Sequence, residues 1–236
     1  MMRLDPLCKL AIIGPALVGA TGLAAEIVSG LAIGATTQAI PVTDVTGPYK
    51  GEHICYVCDF DKAPNVLAFF RDTSDATAKE IVQLNNLYVQ NKSRNFKAVV
   101  MIVAGASAKK WLEELNRSTR LEIPLTFFTK GPKDVAARVY NLNPAVANTF
   151  LVTVNRSVVA NISDIGPEQF NRVADAASEL LLLYENRRSQ GPGYRSRHEG
   201  RLLCNVGVGG SGASEPPAAQ CAGGFERRDS WRRHRS

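Results

Sequence analysis

The segment FKAVVMIVAG, residues 96–105, is an almost unbroken run of Val, Ile, Met and Ala. A strand with so little polar surface must be covered on both faces, which calls for a sheet held between helical layers. The surrounding sequence fits that requirement. NVLAFF (65–70) is a second short run of strand-forming residues, and IPLTFFTK (123–130) is a third. Segments of helical period separate them. SDATAKEIVQLNNLYVQNKS opens on Ser74 and Asp75, both capping candidates, and sets Ile81, Leu84 and Tyr88 on one face. SAKKWLEELNRS is predicted to open at Ser107 and to turn Trp111, Leu112 and Leu115 inward. GPKDVAARVYNL reads as a short helix with Pro132 in its first turn.

Strands that alternate with helices in this way lie parallel and are joined by right-handed crossovers. Antiparallel pieces stand before and after them. IGATTQAIPVTDVTGPYKGEHICYV has the Gly/Pro punctuation of a hairpin turned near TGPYKG. NTFLVTVNRSVVANIS reads as a second hairpin, turned at Asn155-Arg156. GPEQFNRVADAASELLLLYE is the last helix, with Phe170, Val173, Ala177, Leu180 and Leu181 inward. The expected fold class is α/β, a mixed central sheet flanked by helices with an N-terminal β-hairpin extension, over residues 25–186.

Charge limits the partners. The chain of 236 residues carries a net +6, but residues 187–236 hold ten arginines against four acids, which is the whole excess. The body is neutral, so no nucleic-acid interface is expected through the folded domain. The tail is rich in Arg, Gly, Ser and Pro without a sustained period, the composition of a disordered segment. At the other end MMRLDPLCK is a basic start. LAIIGPALVGATGLA is an apolar stretch shorter than the ~20 residues needed to span a bilayer, and Gly22 and Ala24 offer a cleavage point before Ala25. Residues 1–24 therefore read as a signal peptide. The mature protein is expected to be extracytoplasmic, periplasmic or secreted, unattached to membrane, and in a compartment where paired thiols oxidise.

The element order, with IGATTQAIPVTDVTGPYKG as an opening glycine and hairpin, NVLAFF as a first core strand and NTFLVTVNR as a later one, resembles the thioredoxin-like superfamily. Within it the likeness is to the exported redoxin branch, the cytochrome-maturation thiol–disulfide oxidoreductases and the peroxiredoxins. The resemblance covers residues 33–184. It implies a thioredoxin-like fold and a part in cell redox homeostasis, and it implies no cofactor. In those oxidoreductases a strand runs into Trp-Cys-x-x-Cys, with the nucleophilic cysteine at a helix N-terminus that lowers its pKa. Here the matching stretch is FFRDTSDATAKE, and Asp75 and Ala78 fall where the two cysteines stand. The peroxiredoxin Thr-x-x-Cys is not matched either, because neither Thr73 nor Thr77 leads to a cysteine. The family's cis-proline falls at Ala147, with Pro144 three residues earlier.

Two of the five cysteines, Cys55 and Cys58, form a Cys-x-x-Cys pair in GEHICYVCDF. Attachment of c-type haem requires histidine at position 59, where Asp59 stands. Zinc requires two further ligands, but His53 is the only histidine before the tail, and Cys204 and Cys221 lie within the tail. A disulfide remains. As a staple it closes so short a loop that it is worth about 2 kcal/mol. As a catalytic pair it lacks a helix after Cys58. Asp59 and Asp61 disfavour a thiolate there, with Lys62 and His53 opposing them. Two functions stay open. One is an exported thiol–disulfide oxidoreductase acting on protein thiols, with Cys55 and Cys58 as its catalytic residues. The other is a non-catalytic protein whose Cys55–Cys58 bridge is structural, and which binds a protein partner in the groove around Thr73–Thr77 and Ala145–Thr149.

Overall fold

Seven strands form one mixed sheet in the computed structural model, which describes residues 28–189. The expected signal segment, residues 1–24, and the tail from residue 190 onward lie outside the described residues. In chain order the elements are β1 (Val42–Asp44), β2 (His53–Ile54), α1 (Tyr56–Phe60), β3 (Asn65–Phe70), α2 (Asp75–Asn91) and β4 (Lys97–Ile102). Then follow α3 (Lys109–Thr119), β5 (Leu125–Phe127), α4 (Val135–Val139), β6 (Asn148–Val154), β7 (Ser157–Ser163) and α5 (Asn171–Ser189). Across the sheet the order is β2-β1-β5-β4-β3-β6-β7. β3, β4 and β5 are parallel, as their helical crossovers require, and the two hairpins add antiparallel strands at both edges.

All six residues of β3 are buried. Their alternation divides the core into two layers, since successive side chains point to opposite faces. Val66, Ala68 and Phe70 pack with Ile81 and Leu84 of α2, Leu112 of α3, and Val173, Ala177 and Leu181 of α5. Leu67 and Phe69 pack with Tyr56, Val57 and Phe60 of α1, with Ala136 and Ala137 of α4, and with Leu31 and Ile40 of the N-terminal arm. The inward positions read from helical period are the ones that meet the sheet.

Local details differ from expectation where loops cross. Ser107 does not cap α3. Its hydroxyl donates back to the Ala104 carbonyl at 3.2 Å, inside a tight 3-10 turn over Gly105–Ala108. Gly105 sits at φ +82°, and a Cβ there would come 2.9 Å from the Gly131 Cα, so two loops meet at a point that excludes a side chain. The segment after Gly131 divides into a 3-10 turn holding Pro132 and then α4, capped by the Asp134 carboxylate, which accepts from Ala136 N–H at 3.1 Å. α5 runs past residue 186 to Ser189. The turn at Asn155-Arg156 forms as expected, with both residues at positive φ, 52° and 62°, as the tight hairpin turn demands.

The loop between β1 and β2 is organised by one buried carboxylate. Asp44, 1% exposed, accepts from Thr46, Gly47 and Tyr49 N–H groups at 3.2, 2.8 and 2.9 Å, and from the Tyr56 hydroxyl at 2.7 Å. Burial, followed by the hydrogen bond to Asp44 and that carboxylate's charge, pushes the Tyr56 phenol well above its usual range. Asp44 thus ties the hairpin to α1. Asp44→Ala is expected to cost about 3 kcal/mol, because it strands a buried hydroxyl and three amides. Urea unfolding measures this, and a loss below about 0.5 kcal/mol, the range of ordinary surface substitutions, would mean that the carboxylate does not organise the loop.

Candidate functional site

Two constellations have to be weighed: the N-terminus of α2 and the cysteine bridge. At the first, Ser74 is the helix cap. Its hydroxyl oxygen accepts from Thr77 N–H at 3.3 Å and lies 3.1 Å from the Thr77 hydroxyl. The Asp72 carboxylate accepts from the Thr77 hydroxyl at 2.8 Å and from Ser74 N–H at 3.0 Å. This decides between the two capping candidates read from sequence. Asp75 is the first helical residue and makes no cap, which Ser74 supplies. Two hydroxyls, and no sulfur, stand together at the start of α2. They can donate and accept hydrogen bonds but cannot exchange disulfides.

The groove residues expected beside this position are brought to it. Arg71 N–H donates to the Ala147 carbonyl at 3.0 Å, and Asn148 opens β6 directly opposite Phe70. No cis peptide occurs among the described residues, and Pro144 lies in an exposed loop ahead of Ala147. The open volume sits to one side, in a cleft of about 680 Å³ that includes Arg71, Val103, Arg138, Leu142 and Pro144.

Glu80, one turn into α2, is a buried carboxyl that sequence reasoning missed. It is 2% exposed and accepts from the Asn148 side-chain amide at 2.8 Å. Asn148 is itself fixed by its bonds to the Ile165 backbone at 2.7 and 3.1 Å. Burial pushes the Glu80 carboxyl up to about 7, against the lowering effect of the Asn148 bond, with the Asp72 and Glu168 charges adding to the rise. Asp72 goes the other way. Its partial burial would raise it, but hydrogen bonds from Thr77 and Ser74 hold it below the usual carboxylate range. The available signal was a glutamate at the helical spacing of Thr77, Ile81 and Leu84, on the face that meets the sheet.

The second constellation is the disulfide joining Cys55 to Cys58, whose Cα atoms are 5.3 Å apart. No helix begins after Cys58, but a short one begins before it, at Tyr56, inside the segment read from sequence as part of the hairpin. Cys55 caps the five-residue α1 and Cys58 lies within its first turn, so the Cys58 N–H donates to the Cys55 sulfur at 3.2 Å. Cys55 is half-buried and Cys58 is exposed. His53 contributes nothing to the sulfurs, its Nδ1 lying 3.3 Å from the Thr43 and Thr129 hydroxyls. Asp59 accepts from the Tyr49 hydroxyl at 3.3 Å. An unexpected neighbour is Arg156, 98 residues away in sequence, with a guanidinium nitrogen 3.8 Å from the Cys58 sulfur. Asn155 N–H donates to the Lys62 carbonyl at 3.3 Å. The bridge therefore lies towards the end of the sheet where β3 begins and β6 finishes, whereas Ser74 and Ala147 stand at the other end. Six residues of strand separate those ends by roughly 17 Å.

No family model matches the sequence, and no curated protein matches it. Solved structures do match the fold. A protein assigned as the thiol:disulfide interchange protein DsbE from Chlorobium tepidum is 14% identical, with a TM-score of 0.52 over 64% of this chain and 99% of that one. A protein assigned as a disulfide isomerase from Bacteroides thetaiotaomicron is 14% identical, with a TM-score of 0.54 over 69% of this chain and 99% of that one. The peroxidoxin BcpB from Mycobacterium tuberculosis is 18% identical, with a TM-score of 0.50 over 61% of this chain and 94% of that one. At such identities the likeness concerns the fold.

Two outcomes follow for the α2 end. The double variant Ser74→Cys, Thr77→Cys is expected to form a disulfide in air, since its side chains replace two hydroxyl groups that already touch. Mass spectrometry with and without reductant detects it, and two persistently free thiols would show that the two side chains do not meet as described. Glu80 titrates near 7 in the fold and near 4.5 unfolded, so its neutral form favours folding, and stability is lost as pH rises through that window. Glu80→Gln is expected to remove a loss on the order of 2 kcal/mol between pH 5 and 8. Parallel pH-stability curves for the two proteins would contradict this.

Proposed function

From the premise of a chain with the thioredoxin-like fold, we propose an extracytoplasmic thiol–disulfide exchange protein that works through Cys55 and Cys58, away from the N-terminus of α2. The observation that carries this reading is the asymmetry of the bridge. Exchange needs one sulfur open to attack along the S–S axis and a second whose departing negative charge is held. Cys58 is exposed to an incoming thiolate. Cys55 is half-buried, and its sulfur already accepts the Cys58 N–H, the bond that a leaving thiolate would strengthen. Protein thiols are the partners in this reading, and the signal segment supports their meeting outside the cytoplasm.

A second reading is favoured by a different observation. Hydroxyls of Ser74 and Thr77, and no sulfur, stand at the N-terminus of α2, the region where the resemblance puts the exchange position. In that reading the groove beside Arg71 and Ala147 binds a protein segment without chemistry, and the bridge is only a staple. Dithiol-driven reduction of insulin separates the two. The exchange reading expects a rate above that of buffer, lost in Cys58→Ser and retained in Ser74→Ala. A wild-type rate equal to buffer would leave the binding reading in its place.

A further inference from the structure

We infer that Arg156 holds Cys58 as the thiolate of the reduced protein, making the second cysteine of the pair, and not the first, the one that forms the mixed disulfide with a substrate. This rests on the exchange reading and adds the residue that directs it. The Arg156 guanidinium is partly buried, and its Nε is shielded from solvent without a hydrogen-bond partner. Among the described residues it takes part in no ion pair within 4 Å. A cation with one shielded donor left unpaired gains from an anion beside it. The polar atom it approaches is the Cys58 sulfur, at 3.8 Å. In the disulfide that sulfur is neutral, whereas on reduction it can take the negative charge the guanidinium lacks. Reduction therefore completes an ion pair that oxidation leaves open.

The base of the side chain is fixed. The Arg156 carbonyl accepts from the Thr37 N–H at 2.7 Å and from the Thr37 hydroxyl at 3.2 Å. The residue also occupies a left-handed turn position, φ 62°, where glycine fits without strain and an arginine does not. Other titratable groups around the pair are Asp59, Asp61 and Lys62 on its own segment, with Glu52 and the neutral Tyr49 from the β1–β2 loop. Asp59 is engaged by the Tyr49 hydroxyl. Tyr140, following α4, lies within reach of the Arg156 charge, and its hydroxyl donates to the Gln38 carbonyl.

The reaction balances without a further reagent. The Cys58 thiolate attacks one sulfur of a substrate disulfide, so that a Cys58–substrate S–S bond forms and the other substrate sulfur leaves as a thiolate, which takes a proton from water. Cys55 then gives up its proton and attacks the Cys58 sulfur. The Cys55–Cys58 bond re-forms and the second substrate thiolate departs. The substrate disulfide gains two electrons and the protein dithiol loses them. The reverse sequence oxidises a substrate dithiol.

The test is alkylation of the fully reduced protein by iodoacetamide across pH, with each cysteine quantified by mass spectrometry. In the wild type Cys58 is expected to react first, with a midpoint about one unit below the ~8.5 of a free cysteine. Arg156→Gly converts the turn to Asn-Gly, so the variant should melt no lower than wild type while its Cys58 midpoint rises by about one unit. Arg156→Lys should retain most of the shift. Equal Cys58 midpoints in wild type and Arg156→Gly, or faster labelling of Cys55, would overturn the assignment. Exchange with oxidised glutathione is measured beside it. A midpoint shift without exchange keeps the arginine's role and removes the exchange reading; exchange without a shift does the reverse.

Discussion

Everything described above depends on the burial of β3 on both faces. A strand covered by α2, α3 and α5 on one side, and by α1, α4 and the N-terminal arm on the other, cannot slip by a residue without turning every side chain to the wrong layer. That fixed strand sets what stands at each of its ends. Beyond Phe70 the chain must turn back into α2, which puts the Ser74 cap against the start of β6. Before Asn65 the chain arrives from α1, which puts the cysteine bridge beside the turn that ends β6.

The end beyond Phe70 is polar and carries no cysteine among the described residues. Ser74, Thr77 and Asp72 form a closed set of hydrogen bonds, and Glu80 and Asn148 lie beneath it. A buried carboxyl there is costly unless it stays protonated or gains a partner, and a single amide hydrogen is little compensation. The other end has, 3.8 Å from the Cys58 sulfur of the bridge, a guanidinium that takes part in no ion pair among the described residues. Exchange chemistry needs the second set of properties.

Much of this fold was legible because its cues are local and periodic. The alternation of apolar strands with helical segments gave the parallel centre and both hairpins, and the inward residues of α2 and α5 followed from spacing alone. What was not legible turned on register or on distance. Ser74 and Asp75 are both good caps, and only the backbone decides that Ser74 is the cap. α1 is too short to display a helical period, so YVCDF could not be read as a helix. Glu80 was hidden by attention to apolar positions on its face. Arg156 offered no signal near the cysteines. Its one trace in the sequence was an arginine where a tight turn prefers glycine.

The reduction potential of the Cys55–Cys58 pair, read by equilibrating the protein in thiol–disulfide buffers and quantifying the 51–62 peptide, bears most directly on the proposed exchange at this bridge. A pair whose reduced form is held by Arg156 and by the Cys58 N–H should equilibrate between about −120 and −270 mV, the range of working exchangers. A potential below about −300 mV, typical of a resistant structural bridge, would contradict exchange at this end of the sheet and leave the disulfide as a staple.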